Sequence, residues 1–473
     1  MAPTVRRAKP PNEALARMIE ACDGASRKAL AHRVNQLAAE AGLTTRYTHT
    51  SVANWCRRGM VPEWPVPALL ARAIGERLGR PVELAEIGMA EAGPEPDAAA
   101  GLDFPRDPAE AVRVATAFWS SVNRRDFLTG TGFAVSSFAT PVTRWLVSPA
   151  DEDAAHRGRS TARGRVGAAD LAELGEAADE ARRWDSKYGG GSWRAGSVSA
   201  CLRERAVPLL NGSFDDRIGR RLFSVTAELS RLAGWTAFDT GQHDAAQRHF
   251  IQALRLARAG GDVQLGCYVL TTMAMQTLLR GFAGEAVDMT QGAFERAKGR
   301  SAPRVLAFTK LIEARAHARE GDARAASAAL AASERLLDQA RAGGGAGEPA
   351  WIDFYGPARL SADATEIHRD LGNPAAALSW NDRAAAMPTG AFTRSVGLRL
   401  AVVATAHLQA RDLDRGLALG HQALDVLAGV RSSRAADYVR DITAALGPWR
   451  REPGTGGFLE RARASFGGAA VAV

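Results

Sequence analysis

Three histidines share one register. His317, His368 and His407 each stand four residues before Gly321, Gly372 and Arg411, at intervals of 51 and 39 residues. A row of imidazoles along one groove would bind an anionic ligand or a metal ion. Successive repeats set these positions too far apart for a shared metal, so packing between helices is the simpler use. Thr277 joins them as a polar position on a first helix, which makes these four the candidate groove residues. Other chemistry is sparse. There is no HExxH, GxSxG or Walker loop. Asp215-Asp216 and Asp151-Glu152-Asp153 read as turns or helix caps. Gly189-Gly190-Gly191 ends a helix, where a phosphate loop would open one. Cys22, Cys56, Cys201 and Cys267 are scattered, with no CxxC pair, as in a reducing compartment. No catalytic residue, metal or cofactor is expected, and the chain does not read as an enzyme.

The elements that position these residues are repeats. In LFSVTAELSRLAGWTAFDTGQHDAAQRHFIQALRLARA, residues 222–259, Leu222, Val225, Leu229 and Leu232 share one helical face. Gly241 breaks the pattern, and Ala246, Phe250, Leu254 and Ala257 share a second face. The frame Gly241, Ala246, Phe250, Ala253 recurs as Gly281, Ala286, Thr290, Ala293, then as Gly321, Ala326, Leu330, Ser333, and as Gly372, Ala377, Asn381, Ala384. A weaker fifth copy is Arg411, Gly416, Gly420, Ala423. The anchors lie 40, 40, 51 and 39 residues apart, and GGGAGEP (343–349) accounts for the long interval. Helical hairpins with small residues at fixed offsets stack into a solenoid. With Gly234, the first copy resembles the tetratricopeptide pattern, although the period exceeds that family's ~34 residues.

Ahead of the repeats, residues 12–84 read as a compact helical module. Asn12 and Ser26 can cap its first two helices. Ser51 to Arg58 forms a third helix, stopped by Gly59 and Pro62, and Val66 to Leu78 a fourth. Leu30-Ala31, Val52, Trp55, Gly59 and Pro62 resemble the phage-repressor-like (XRE-type) helix-turn-helix family. The resemblance implies a third helix entering the DNA major groove. Thr48, His49, Thr50, Ser51 and Asn54 would then face base edges, while Arg57 and Arg58 grip phosphates. Residues 1–60 carry ten Lys/Arg against four Asp/Glu, most of the chain's net charge of +8. A basic arm (Arg6, Arg7, Lys9) precedes them.

RRWDSKYGGG, VPLLNGSF, the 222–262 stretch and HRDLGNPAAALSW resemble the body of an actinobacterial (Streptomyces-type) regulator family, some of whose members repress sporulation and antibiotic production. It joins an XRE-type helix-turn-helix to a tetratricopeptide-like domain. The resemblance implies a transcriptional regulator. Arg124-Arg125-Asp126-Phe127-Leu128 and the apolar stretch to 147 look like a twin-arginine export signal, but lie far from the N-terminus and contain Pro141 and Arg144. A connecting helix packed on the solenoid is the preferred reading, ahead of export or membrane association. The expected fold class is all-α: residues 1–92 a DNA-binding module, 93–165 a linker with an apolar connecting segment, 166–450 the solenoid and 451–473 a loosely held tail. The expected function is a cytoplasmic DNA-binding transcriptional regulator, a repressor, with double-stranded DNA and a peptide, small ligand or protein in the repeat groove as partners. A second copy of the chain, in a homodimer, is a further expected partner, and no membrane partner is expected. The alternative is a protein-interaction scaffold without DNA binding.

Overall fold

The computed structural model describes residues 10–22, 26–40, 45–63, 65–80, 82–89, 100–125, 133–147, 165–188, 195–344, 347–384, 393–430 and 432–467. The protein is all-α. Among these residues the one β feature is an isolated bridge between Arg165 and Ser213. The chain divides into two compact units, residues 1–100 with 120–131, and 101–119 with 132–473.

The first unit packs α1 (Glu13–Ala21), α2 (Arg27–Glu40), α3 (His49–Arg57) and α4 (Val66–Leu78) around one apolar core. Asn12 ties it together. Its Oδ1 accepts the Leu15 N–H at 3.0 Å and so caps α1, its Nδ2 donates to the Ile87 carbonyl at 2.9 Å, and its own N–H donates to the Cys56 carbonyl at 2.7 Å. Val52 and Trp55 are buried knobs of α3, as their spacing predicts. The basic arm at 6–9 lies outside the described residues.

In the second unit, α5 (Pro108–Arg125, of which residues to 119 belong here) and α6 (Ala139–Val147) precede α7 (Ala168–Tyr188). A helical run then passes through α8 (Ala195–Cys201), a wider turn at Leu202–Ala206, and α9 (Val207–Leu210). The wide turn sits ahead of Pro208, which has no N–H to give to the carbonyl a regular turn back. Five hairpins follow: α10 (Asp216–Asp239) with α11 (His243–Ala259), α12 (Val263–Leu279) with α13 (Ala283–Ala297), α14 (Pro303–Glu320) with α15 (Ala323–Ala342), α16 (Pro357–Asp370) with α17 (Pro374–Ala384), and α18 (Thr393–Gln409) with α19 (Leu413–Leu427). Last come α20 (Ser433–Ala445) and α21 (Pro453–Phe466).

The repeat frame is physical. The turn residues Gly241, Gly281, Gly321, Gly372 and Arg411 all have positive φ, between 65° and 91°. Only glycine takes that conformation without Cβ strain. The anchors Ala246, Ala286, Ala326 and Ala377 have no exposed surface, because a hairpin partner lies against each. At the fifth anchor Gly416 leaves room for Leu408, which a Cβ would approach to 2.6 Å.

Two segments outside the repeats are more closely packed than a linker and a loosely held tail would be. The segment 93–165 is not merely a linker: where described, it is stitched along α11. Gln252 Nε2 donates to the Gly101 and Asp103 carbonyls at 2.9 Å each, and Arg255 to those of Pro105 (2.6 Å) and Arg106 (2.9 Å). Gln247 holds the Ala134 carbonyl at 2.8 Å. α6 packs on α11 and α13, with Trp145 buried against Gly266, whose missing Cβ would lie 2.6 Å from Trp145 Nε1. The twin-arginine-like segment is therefore a docked helix from 139 to 147, while 126–132 lie outside the described residues. Nor is 451–473 a loose tail as far as Gly467. α21 buries Phe458 and Ala462 fully, and Phe458 fills the space left by Gly420. Its apolar spacing is short and glycine-rich, so the burial was hidden in sequence. No helix among the described residues is long and apolar enough to cross a membrane.

Two glycines three residues apart test the turn argument. Gly281→Ala should lower the melting temperature, because φ is 91° there, at a cost of about 1–2 kcal/mol. Gly284→Ala, in the first turn of α13 and facing only the flexible end of Glu320, should raise it by the gain in helix propensity, about 0.5 kcal/mol. A second test uses His249, which is fully buried beside Phe118 at 4.8 Å. Burial pushes its pKa down to about 3. The unfolded chain therefore binds a proton below pH ~6.5 that the folded chain refuses, and stability falls as pH drops from there toward 3, by up to about 1.4 kcal/mol per pH unit. His249→Leu should flatten this part of a melting-temperature profile.

Candidate functional site

The first unit presents a basic helical face. Thr48, His49 and Thr50 are exposed at the start of α3, and Arg57 and Arg58 are exposed at its end. Ser51 and Asn54 are half-buried. Ser51 is partly committed to the fold: its Oγ accepts the Thr48 N–H at 3.2 Å, closing the first turn of α3. The Asn54 side chain has no hydrogen bond to a described residue. These seven side chains are thus on one short helix and its cap, five of them open to solvent.

The connector between α2 and α3 is long for a tight turn, and one residue holds it. Asn35 Oδ1 accepts from the Tyr47 N–H (3.0 Å) and the Thr45 hydroxyl (2.9 Å), while its Nδ2 donates to the Tyr47 carbonyl (2.8 Å). Tyr47 in turn packs edge-on against Trp55, with ring centroids 5.1 Å apart. The sequence offered no signal for this clamp, since a lone Asn inside a helix pattern reads as a solvated position.

Charge is sorted across the unit. Arg33 and Arg72 share Glu76, at 2.7 and 3.3 Å, and Arg80 pairs with Glu86 at 2.8 Å. The hydrogen bond from Arg33 is the main reason that the Glu76 carboxyl is held below its usual range. Arg27, Lys28, Arg46, Arg57 and Arg58 are exposed and make no ion pair with a described residue. They lie at the N-terminal end of α2, in the connector and on α3, and Arg27 and Arg57 both act on the Cys56 thiol, whose pKa burial nevertheless raises. Three of these cations, Arg27, Lys28 and Arg46, were not singled out from sequence.

The second unit holds an inner face built by the first helix of each hairpin. Glu228, Arg231 and Trp235 form its stripe on α10, Tyr268, Thr272 and Met275 on α12, Phe308 and Arg315 on α14, and Arg359, Asp363 and Glu366 on α16. Much of this face is filled. Tyr438 of α20 donates to Glu366 Oε1 at 2.7 Å, Arg315 bridges Asp363 (3.1 Å) and Glu366 (2.7 Å), and Arg369 reaches Asp441 at 3.2 Å. What stays open is a cavity of about 800 Å³ between α7, α10, α12, α14, residues 350–359 and the start of α18.

The predicted groove residues are not in it. Thr277 is fully buried within its hairpin, its hydroxyl on the Met273 carbonyl at 2.9 Å. His317, His368 and His407 do share a register: in each case the N–H five residues on bonds the histidine carbonyl, closing the turn. But His317 and His368 stand two residues, about 200°, around their helices from Arg315 and Glu366, and so off the inner face. His317 Nδ1 lies 3.6 Å from Glu320, His407 Nδ1 lies 3.1 Å from Asp412, and burial lowers the pKa of His368. They are helix-end residues, each in the last turn of its helix. No group of three or more His, Cys, Asp or Glu that could hold a metal occurs among the described residues.

A family model described as the SP15 N-terminal domain matches residues 6–90. No curated protein matches the chain. The matched segment spans α1 to α4 and ends next to Met89, the last buried residue of that core. It corresponds to the first unit and leaves the solenoid outside it.

Asn35→Ala should loosen the connector without touching the solenoid. Three polar groups lose their partner, at about 1–2 kcal/mol in all, so amide exchange at residues 45–48 should quicken roughly 5–30-fold. Hydrogen-exchange mass spectrometry of the whole chain reads this, with α10 to α15 unchanged as the internal control.

Proposed function

We propose that this chain is a DNA-binding transcriptional regulator, acting as a repressor, whose helical-repeat unit binds an effector. One observation carries the reading: on the first unit, five of the seven exposed cations without an acidic partner among the described residues gather on α3, its connector and the start of α2, the other two being Arg17 and Arg77. The five flank Thr48, His49, Thr50 and Asn54, which carry hydroxyl, imidazole and amide groups able to bond base edges. Arginines without an acidic partner among the described residues, beside exposed polar side chains on one short helix, suit phosphate grip and base reading together. The resemblance of Leu30-Ala31, Val52, Trp55 and Gly59 to the XRE-type helix-turn-helix supports the same docking, with the N-terminal end of α3 in the major groove. In this reading Ser51 braces α3 and leaves base contact mainly to its neighbours.

The partner is double-stranded DNA in the cytoplasm. A second copy of the chain would supply the second half-site of a symmetric operator. The repeat unit supplies the regulated part, without catalytic chemistry of its own. An effector bound to the solenoid would shift the population of DNA-binding arrangements only by its difference in affinity between them.

The test is a gel-shift on mixed-sequence duplex DNA over a salt series. Binding should weaken steeply with salt, and Arg57→Ala and Arg58→Ala should each reduce the slope of log K against log salt by about 1. Asn54→Ala should leave that slope alone and relax sequence preference in a selection from random duplexes. A flat salt response, unchanged in both arginine variants, would sink the proposal and return the chain to the scaffold reading.

A further inference from the structure

We propose that the cavity of the repeat unit binds a flat aromatic acid, its rings between the aromatic walls and its single anionic group at the α7 rim. This rests on the reading of that unit as the effector-binding part and names the class of effector.

Size comes first. About 800 Å³ falls within the range of small-molecule pockets, roughly 300–1,000 Å³. The remainder of the inner face is closed to a long peptide or a partner helix, because α20 occupies it through Tyr438, Arg434 and Asp441. A compact ligand is what the remaining space admits.

The walls decide the body of the ligand. Tyr268 and Trp351 lie face to face, with centroids 4.8 Å apart and planes 10° from parallel. Phe308 meets Tyr268 at 5.8 Å and Phe354 at 5.4 Å. Trp235 lines the cavity from α10. Trp351 and Phe354 lie just after the 343–349 insertion, within the long 51-residue interval. That stretch is anchored, since Tyr355 is fully buried with its hydroxyl 2.6 Å from Ser333 Oγ. Arg231 lies over the Tyr268 ring, 4.6 Å from its centroid, so Tyr268 stiffens the wall rather than offering a face. The aromatic carbon of Trp235, Trp351, Phe308 and Phe354 favours a planar aromatic guest.

The charges decide its head. The guanidinium groups deep in the cavity are already neutralised. Arg231 is bonded twice to Glu228, at 2.9 and 3.0 Å, Arg394 to Asp185 and Asp239, and Arg359 to Asp363. Arg182 is taken by Asp179 and Glu228. Asp353 is engaged by Arg304 at 3.3 Å. Two lining cations are left over. Arg183 and Lys187 stand one turn apart on α7, both exposed, with no ion pair to a described residue. Lys187 makes only a ring contact, 5.1 Å from the Tyr188 centroid. The deep end therefore carries no spare charge, and the rim carries two positive ones.

The probes are 2-naphthoate and its neutral analogue 2-naphthamide, titrated into the full chain by calorimetry with tryptophan quenching as a second readout. Naphthoate should bind at one site per chain, at least tenfold tighter than the amide. The Arg183→Ala/Lys187→Ala double variant, a surface change that spares the fold, should cut naphthoate affinity about tenfold and leave the amide where it was. Ala358→Trp, which fills the cavity from α16, should abolish both, with circular dichroism and melting temperature confirming the fold. Absence of naphthoate binding overturns the proposal, as does equal affinity for acid and amide, or naphthoate affinity unmoved by the double variant. DNA binding is measured on the same samples. A chain that binds naphthoate as described but no DNA keeps this site and loses the regulator reading, whereas a chain that shifts DNA and ignores naphthoate loses this site alone.

Discussion

The repeat unit depends on one buried carboxylate. Asp239, at the C-terminal end of α10, has no exposed surface. It receives Arg394 of α18 at 2.9 Å, Arg434 of α20 at 2.8 Å and the Ser432 hydroxyl at 2.8 Å. Its backbone carbonyl takes the Ser433 hydroxyl as well, at 3.2 Å. These bonds join the first hairpin to the last across more than 150 residues of chain. Arg394 also makes a two-pronged pair with Asp185 of α7, whose other bond is to Trp235 Nε1. A stack of hairpins held only by neighbours is open at both ends. Here charge pairing folds it back on itself, and α7 and α20 are drawn onto the inner face. Burying such ions is costly unless each is fully paired, and removing one partner strands the others at about 3–5 kcal/mol. The hub is therefore a strict geometric constraint and a poor place for variation.

From that closure follow both the filling and the opening of the inner face. Once α20 lies against α14 and α16, their polar stripes must be satisfied from it, and the Arg315, Glu366 and Tyr438 network does so. Burial works against the Glu366 charge, but Arg315, Arg369 and Arg319 outweigh it and hold the carboxyl well below its usual range. Burial raises the Tyr268 phenol to about 12, so it stays neutral where it faces the cavity. At the other end α7 reaches only as far as α10 and α18, and the space beneath it is the cavity. The first unit is organised differently. A small apolar core sets four helices, and two asparagines, Asn12 and Asn35, fix the chain segments that the core does not reach.

Much of this was legible in the residues. The all-α class, the five hairpins, the turn glycines and the ends of α7 and α14 follow from apolar periodicity and from small residues at constant offsets. Those signals are local: a positive-φ turn or a buried alanine is required by its own hairpin. The exposed positions of α3 were equally readable, because a short amphipathic helix between two stops leaves few choices. The histidine register was also legible, with packing between helices the preferred use, but the face on which it lies was not. Spacing places a residue at the same height in successive repeats, but a shift of two residues turns it away from the inner face. Thr277 fails for a related reason, since a threonine can satisfy its hydroxyl on its own helix and then pack as an apolar residue.

Sequence alone determined that the chain would make stacked helical hairpins behind a basic helical module, because those features depend on contacts within about forty residues. Tertiary structure decided which face of the stack is covered, which cations stay unpaired and where a cavity survives. Arg394 carries no mark that it will meet Asp239, nor Trp351 that it will lie on Tyr268, nor Phe458 that it will fill the gap at Gly420. Pairings of that kind are chosen by closure of the whole unit, where partners far apart in the chain compete for the same buried space.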